Sequence, residues 1–167
     1  PVLADLHTLS ALRAARLPAV PAPVPSGRVR SRTPGPHWSA LQTHLRGVLL
    51  TPEQAAYEQA RLLVNQRFDH IRPQAIAYPA DAHDVVEMLR FARTSGVSLA
   101  LRSGGHSYAG YSTGPGLVID TSSLSSATVR DGRARFGAGV KGGQAHQTLA
   151  TAGAGLPLGR CPTIGLA

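Results

Sequence analysis

Two short segments of this 167-residue chain carry side chains that can act as nucleophiles from a loop. The first is Arg102-Ser103-Gly104-Gly105-His106-Ser107, followed by Tyr108, Gly110, Tyr111, Ser112 and Thr113. The second is Gly159-Arg160-Cys161-Pro162-Thr163-Ile164-Gly165, which holds the single cysteine. Adjacent glycines, lacking Cβ atoms, let backbone N–H groups close on an anion and adopt positive φ, and Ser103, Ser107 and Arg102 can add hydroxyl donors and a charge. The pattern reads as a pyrophosphate cradle or as an ordinary glycine turn, and spacing alone leaves both open. No G-x-G-x-x-G opens a helix after it and no Gly-Lys-Ser/Thr follows, which excludes the two commonest phosphate-loop signatures. One cysteine excludes an intrachain disulfide and a multi-cysteine zinc site. Cys161 is therefore a core filler or a reactive thiol, and Arg160 beside it would favour the thiolate. His106 is likewise a turn histidine bonded to backbone or a nucleophile. The other histidines from His37 to His146 lack ligand spacing such as H-E-x-x-H, so no metal is expected.

These loops need elements to hold them. Residues 1–37 contain seven of the thirteen prolines and five arginines against one acid, Asp5, and read as a tail or linker. Within it Leu3, Leu6, Leu9, Leu12 and Leu17 allow a short helix before Pro18, and the Pro-Ala-Pro-Val-Pro stretch that follows favours an extended chain. From Trp38 a short amphipathic helix through Leu41 and Leu45 is expected to end near Gly47. A second helix is expected over 51–65, with Thr51, Pro52 and Gln54 as N-cap, first-turn proline and capping-box partner and Ala56, Ala60 and Leu63 as its buried stripe. A strand over 75–79, a helix capped by Asp81 with Asp84 near its dipole, and a strand over 97–101 form a βαβ unit, whose strands should be parallel and whose crossover should be right-handed. Val85, Met88, Leu89 and Ala92 are the helix's apolar face and Gly96 its end. The unit delivers Arg102 to a strand's C-terminal edge, where open α/β sheets place ligand-binding loops. Residues 117–119 form another buried strand. Asp131-Gly132, between the Ala127/Val129 and Ala134/Phe136 alternations, signals a two-residue hairpin. A helix over 141–152, closed by Gly153 and Gly155, leads into the Cys161 loop. The fold class is α/β (α+β).

The formal charge is +8, yet sixteen of the seventeen basic residues are arginines scattered without a run. A basic chain attracts a nucleotide's pyrophosphate as readily as a nucleic acid. Eight aromatic residues, none interleaved with a basic patch, argue against nucleic-acid binding. No apolar run approaches the roughly 20 residues of a membrane span, so a soluble protein is expected, with cytoplasmic and secreted locations both open. The chain starts at Pro1 and stops amid glycine-rich sequence at Ala167, and it reads as part of a longer protein.

The run RSGGHSYAGYS, followed by GPGLVID, resembles the histidine attachment loop of the berberine-bridge-type (PCMH-type) FAD-linked oxidoreductases, and GRCPTIGLA is similar to their cysteine loop. With LRGVLLTP and YEQARLLVNQRF upstream, the resemblance covers residues 38–167. It implies a PCMH-type FAD-binding domain: its first, βαβ-containing subdomain and the start of the second, with the substrate domain absent. It implies FAD held bicovalently, with a ring nitrogen of His106 on the 8α-methyl carbon and the sulfur of Cys161 on C6. The cofactor-binding residues it implies are Arg102, Ser103, Gly104, Gly105, His106, Ser107, Tyr111, Ser112, Cys161, Thr163 and Gly165. The implied reaction takes a hydride from a substrate carbon of the sugar, alcohol or secondary-metabolite class to flavin N5, with oxygen reoxidising the flavin; two tethers raise the flavin's potential for that task. The catalytic base is assigned to no residue here, since the family draws it from segments outside this chain, and the chain alone is not expected to turn over. A non-catalytic nucleotide-binding fragment that needs a partner or the missing domain is the alternative.

Overall fold

The computed structural model describes residues 36–167, so the expected leucine helix and all of the tail but Pro36 and His37 lie outside the described residues. The centre of the sheet follows from residue type. Strand β4 (Leu117–Asp120) is buried at every position, as an uninterrupted Leu-Val-Ile run requires of a strand covered on both faces. It pairs in parallel with β2 (Ala75–Tyr78) on one side and with β3 (Leu99–Arg102) on the other, and β1 (Val48–Leu50) joins β2 antiparallel, giving the order β1-β2-β4-β3. The two strands of the βαβ unit are thus parallel but not neighbours. The more apolar β4 takes the place between them and leaves β3 at an edge, where Leu101 is 64% exposed. β1, three residues long, is too short to show an alternation and had no signal in the sequence.

Side chains alternate across the sheet as the strand period requires. Ala75, Ala77, Leu117 and Ile119 share one core with Leu49, with Leu41 of α1 (Trp38–His44) and with Met88 of α3 (Ala82–Ser95). Trp38 and Phe91 close the α1–α3 contact with ring centroids 5.3 Å apart. On the opposite face Ile76 and Val118 pack on Tyr57. Both ends of α3 form as expected: Asp81 accepts from Asp84 N at 3.1 Å, and Gly96 takes the left-handed conformation at φ 65°. Asp84 does more than complement the helix dipole. Its fully buried carboxylate accepts from the backbone N–H groups of Arg46, Gly47 and Ala80 at 3.0, 2.8 and 2.8 Å. Burial opposes its ionisation, but these three donors outweigh burial and hold its pKa below the ordinary carboxylate value.

The helix expected over 51–65 is reduced to α2 (Tyr57–Ala60), with a separate 3-10 turn at Gln66–Phe68. Gln54 Oε1 accepts from Thr51 N at 2.5 Å, the reciprocal half of a capping box, yet residues 52–56 turn rather than coil. Tyr57 is the reason. Its ring must fill the second core and its hydroxyl must reach Pro73 O, to which it donates at 2.6 Å; the expected stripe residue Ala56 is exposed instead. Asn65 then accepts from Arg67 N at 3.2 Å, which starts a new turn. Downstream, β5 (Ala127–Arg130) and β6 (Arg133–Phe136) form the expected hairpin, with φ of 50° at Asp131 and 69° at Gly132. Helix α4 (Gly142–Thr151) lies against β5 and buries Ala145 and Leu149. Among the described residues no helix is long and apolar enough to cross a membrane.

Candidate functional site

β3 and β4 end side by side, with Arg102 opposite Asp120. Two charges buried side by side at the strand ends must neutralise each other. Arg102 is 5% and Asp120 7% exposed. Arg102 Nε lies 3.0 Å from Asp120 Oδ2 but off the hydrogen-bonding direction, so charge attraction rather than an aligned bond holds the pair. Nη1 reaches Leu62 O at 3.5 Å, and Nη2 has no partner among the described residues. Arg102 therefore supports the glycine loop from beneath and does not line the cavity beside His106, where an anion-binding charge was expected. Asp120, which the sequence reading passed over, had one available signal: a carboxylate closing a buried apolar run needs a partner. Ser103 is committed too, donating its hydroxyl to Ala138 O at 2.8 Å.

Beyond Arg102 the two loops meet backbone to backbone. A Cβ at Gly104 would stand 2.5 Å from Thr163 O, and one at Gly165 would stand 2.6 Å from Gly104 N, so neither position admits a side chain without moving a loop. Gly105 turns the chain at φ 70°, and Ser107 Oγ accepts from Tyr111 N at 3.0 Å. The cysteine loop is strapped to the start of α4. Gly142 N donates to Ile164 O at 2.9 Å, Gly143 N to Pro162 O at 2.8 Å, and Leu166 N to Val140 O at 3.0 Å. Loop carbonyls thereby satisfy N–H groups that a helix start leaves open.

This strapping brings the two candidate nucleophiles to one hydroxyl. His106 Nε2 lies 2.8 Å and Cys161 Sγ 3.2 Å from Thr163 Oγ1. The Thr163 hydroxyl, then its backbone N–H, with a smaller contribution from that of Ile164, hold the Cys161 thiol below its ordinary pKa. Beside them is a cavity of about 220 Å³ lined by Leu101, Ser103, Gly104, Gly105, His106, Ser107, Ser112, Ile164 and Gly165. Ser112 is 9% exposed at its wall, whereas Tyr111 stands 78% exposed at the loop tip, with Tyr108 still more open. Elsewhere Asp81, His83 and Asp84 offer ligand atoms within 4.8 Å of one another. Their carboxylates are already engaged, Asp84 by three backbone N–H groups and Asp81 by Asp84 N and Arg46.

Residues 73–167 match the FAD binding domain family. The chain belongs to that family. This FAD-binding domain is 35% identical over 122 residues to the FAD-linked oxidoreductase pytB of Aspergillus terreus, a match covering 71% of this chain and 15% of that protein. It is 33% identical over 136 residues to berberine bridge enzyme-like 18 of Arabidopsis thaliana, covering 71% and 25%. It superimposes on 6-hydroxy-D-nicotine oxidase from Arthrobacter nicotinovorans with a TM-score of 0.70 and 29% identity, over 72% of this chain and 27% of that one. The FAD-binding domain thus spans 15 to 27% of the length of these relatives. Its mixed α/β sheet and following hairpin have the architecture of the berberine-bridge-like, PCMH-type flavoenzymes.

Proposed function

We propose that this FAD-binding domain serves an oxidoreductase in which FAD is attached at two points, His106 and Cys161. Held there by His106 and Cys161, FAD would supply a hydride-accepting N5 for a substrate carbon of the sugar, alcohol or secondary-metabolite class, with dioxygen as the reoxidant. The observation that carries the proposal is the meeting of His106 Nε2 and Cys161 Sγ at the one hydroxyl of Thr163. Loop packing brings the two side chains together, and the 8α-methyl and C6 positions lie on one edge of a flavin ring, so a single bound ring could reach both. When bound, FAD supplies that electrophilic edge and the hydride-accepting N5.

The chain's own residues fit this group. Gly104 and Gly105 line the cavity with backbone, and the missing Cβ of Gly104 is what lets the cysteine loop close against it. Leu101 and Ile164 give the cavity apolar sides on which a flat ring could lie. Cys161 is favoured as thiolate, the nucleophilic form. His106 Nδ1 makes no hydrogen bond among the described residues, because Nε2 is the nitrogen engaged by Thr163, and so Nδ1 is the nitrogen available to bond. The Arg102–Asp120 pair pins the loop's base. Oxygen as acceptor draws support from a structural neighbour that is an oxidase by name.

The test is intact mass and visible absorbance of the denatured full chain, for wild type, His106→Ala, Cys161→Ala and the double variant. Wild type is expected to keep a yellow FAD adduct, each single variant to keep it through the other residue, and the double variant to lose it. Complete release of flavin from denatured wild type would leave the two residues as structural and end the bicovalent reading.

A further inference from the structure

Thr163 stands between two groups that can each give or take a proton, and its hydroxyl has only one to offer. Oγ1 lies 2.8 Å from His106 Nε2 and 3.2 Å from Cys161 Sγ, close enough to bond both. A hydroxyl donates one hydrogen bond and accepts the rest, so Thr163 cannot donate to both partners. With a neutral imidazole, two arrangements give Oγ1 a good hydrogen bond on each side; a third, in which the hydroxyl donates to the sulfur of a protonated thiol, is poorer because that sulfur is a weak acceptor. When Cys161 is ionised, the hydroxyl proton points to Sγ, and Nε2 must carry the ring proton in order to donate to Oγ1. When Cys161 is protonated, its S–H donates to Oγ1, the hydroxyl proton turns to Nε2, and the ring proton moves to Nδ1.

We infer that Thr163 is a positioning residue that ties the tautomer of His106 to the charge of Cys161, so that forming the thiolate also bares His106 Nδ1 as a nucleophile. Its purpose rests on the reading of His106 and Cys161 as the two flavin attachment points, whereas the hydrogen bonds themselves need no flavin. Thr163 is exposed, but its backbone is not free to drift. Its carbonyl faces Gly104 too closely to admit a Cβ there, and Gly143 N holds the preceding Pro162 O at 2.8 Å. The same hydroxyl heads the contacts that favour the Cys161 thiolate, the state in which Nδ1 is bare. The other charged groups near the trio are Arg160, next to Cys161 in the chain, and Lys141, whose backbone bridges to Gly165. Arg102 and Asp120 lie below the loop and neutralise each other. None of these stands between His106 and Cys161, so the hydroxyl is their link.

Thr163→Val removes the hydroxyl and keeps the branched shape, and Thr163→Ser restores the hydroxyl. In the flavin-free full chain, iodoacetamide alkylation of Cys161 followed by intact mass reads the thiolate fraction against pH, and 15N NMR of the His106 ring reads its tautomer. In wild type the ring proton is expected to move from Nδ1 to Nε2 over the pH range in which Cys161 becomes reactive. Thr163→Val should raise the alkylation midpoint, slowing alkylation below it roughly tenfold for each pH unit of rise, and should leave the tautomer indifferent to Cys161. Thr163→Ser should behave as wild type. An alkylation profile and a tautomer in Thr163→Val that match wild type would overturn the inference. If wild type forms no FAD adduct but Thr163→Val still uncouples the two groups, the attachment reading fails and the coupling stands. If the adduct forms on both residues and Thr163→Val changes neither readout, the coupling fails alone.

Discussion

Asp120→Ala probes the ion pair beneath the glycine loop. With the carboxylate gone, Arg102 keeps its charge at a strand end that is 5% exposed, with Nε and Nη2 facing no acceptor. Removing one member of a buried pair costs about 3–5 kcal/mol, because the remaining charge is uncompensated. Asp120 Oδ1 also accepts from Ser122 N at 3.0 Å, and loss of that cap brings the expected destabilisation to about 4–6 kcal/mol. That is a large part of the 5–15 kcal/mol that typically separates a domain from its unfolded state. With a urea m-value of about 1–3 kcal/mol/M, the unfolding midpoint should fall by about 1.3 M or more, or folding should fail outright. Asp120→Leu combined with Arg102→Met removes both charges and fills the space, and it should recover at least half of the loss, since apolar pairs of similar volume commonly match a buried ion pair. Circular dichroism during urea titration measures all three proteins. Two results would refute the reasoning: an Asp120→Ala variant within about 1 kcal/mol of wild type, the limit for a surface pair, or a double variant no more stable than the single one.

Two further predictions concern the loops and their supports. Gly104→Ala places a methyl group 2.5 Å from Thr163 O and should part the loops. The expected result is a stability loss of about 1–3 kcal/mol, with the FAD adduct at Cys161 lost and that at His106 retained; peptide mass mapping that finds both adducts intact would contradict it. Asp84→Asn puts an amide donor among three backbone donors and should cost about 1–3 kcal/mol at neutral pH. Because the folded pKa of Asp84 is depressed, its contribution is full above the unfolded value near 3.9 and drains away as pH falls through the folded value. The stability gap between wild type and Asp84→Asn should therefore narrow on acidification, and urea titrations showing a widening gap would rule this out.

Elements whose causes are local were legible from residue order. The Asp131-Gly132 hairpin needs only two residues at positive φ, and α3 carries both of its ends in Asp81 and Gly96. The segment after Thr51 was misread for the opposite reason. Its capping signal is real, but Tyr57 is drawn into a core made by Ile76 and Val118, and that demand outweighs a few tenths of a kcal/mol of helix preference per residue. The place of β3 was equally hidden, since β2 and β3 are parallel in either arrangement and only the greater apolar character of β4 decides which strand lies between them.

At the site, the types and order of the residues determined the chemistry on offer: an imidazole after two glycines, one thiol, and a threonine two positions beyond it. The tertiary structure decided which of them meet. Thr163 and His106 are 57 positions apart, and their contact depends on β3 and β4 ending together, on glycines letting two backbones touch, and on α4 gripping the second loop. Arg102 shows the same division. Its charge is plain in the sequence, but the parallel register sets it opposite Asp120 and turns it beneath the loop rather than toward the cavity. Side-chain chemistry is a property of each residue alone, whereas proximity between distant residues is a property of the packed chain.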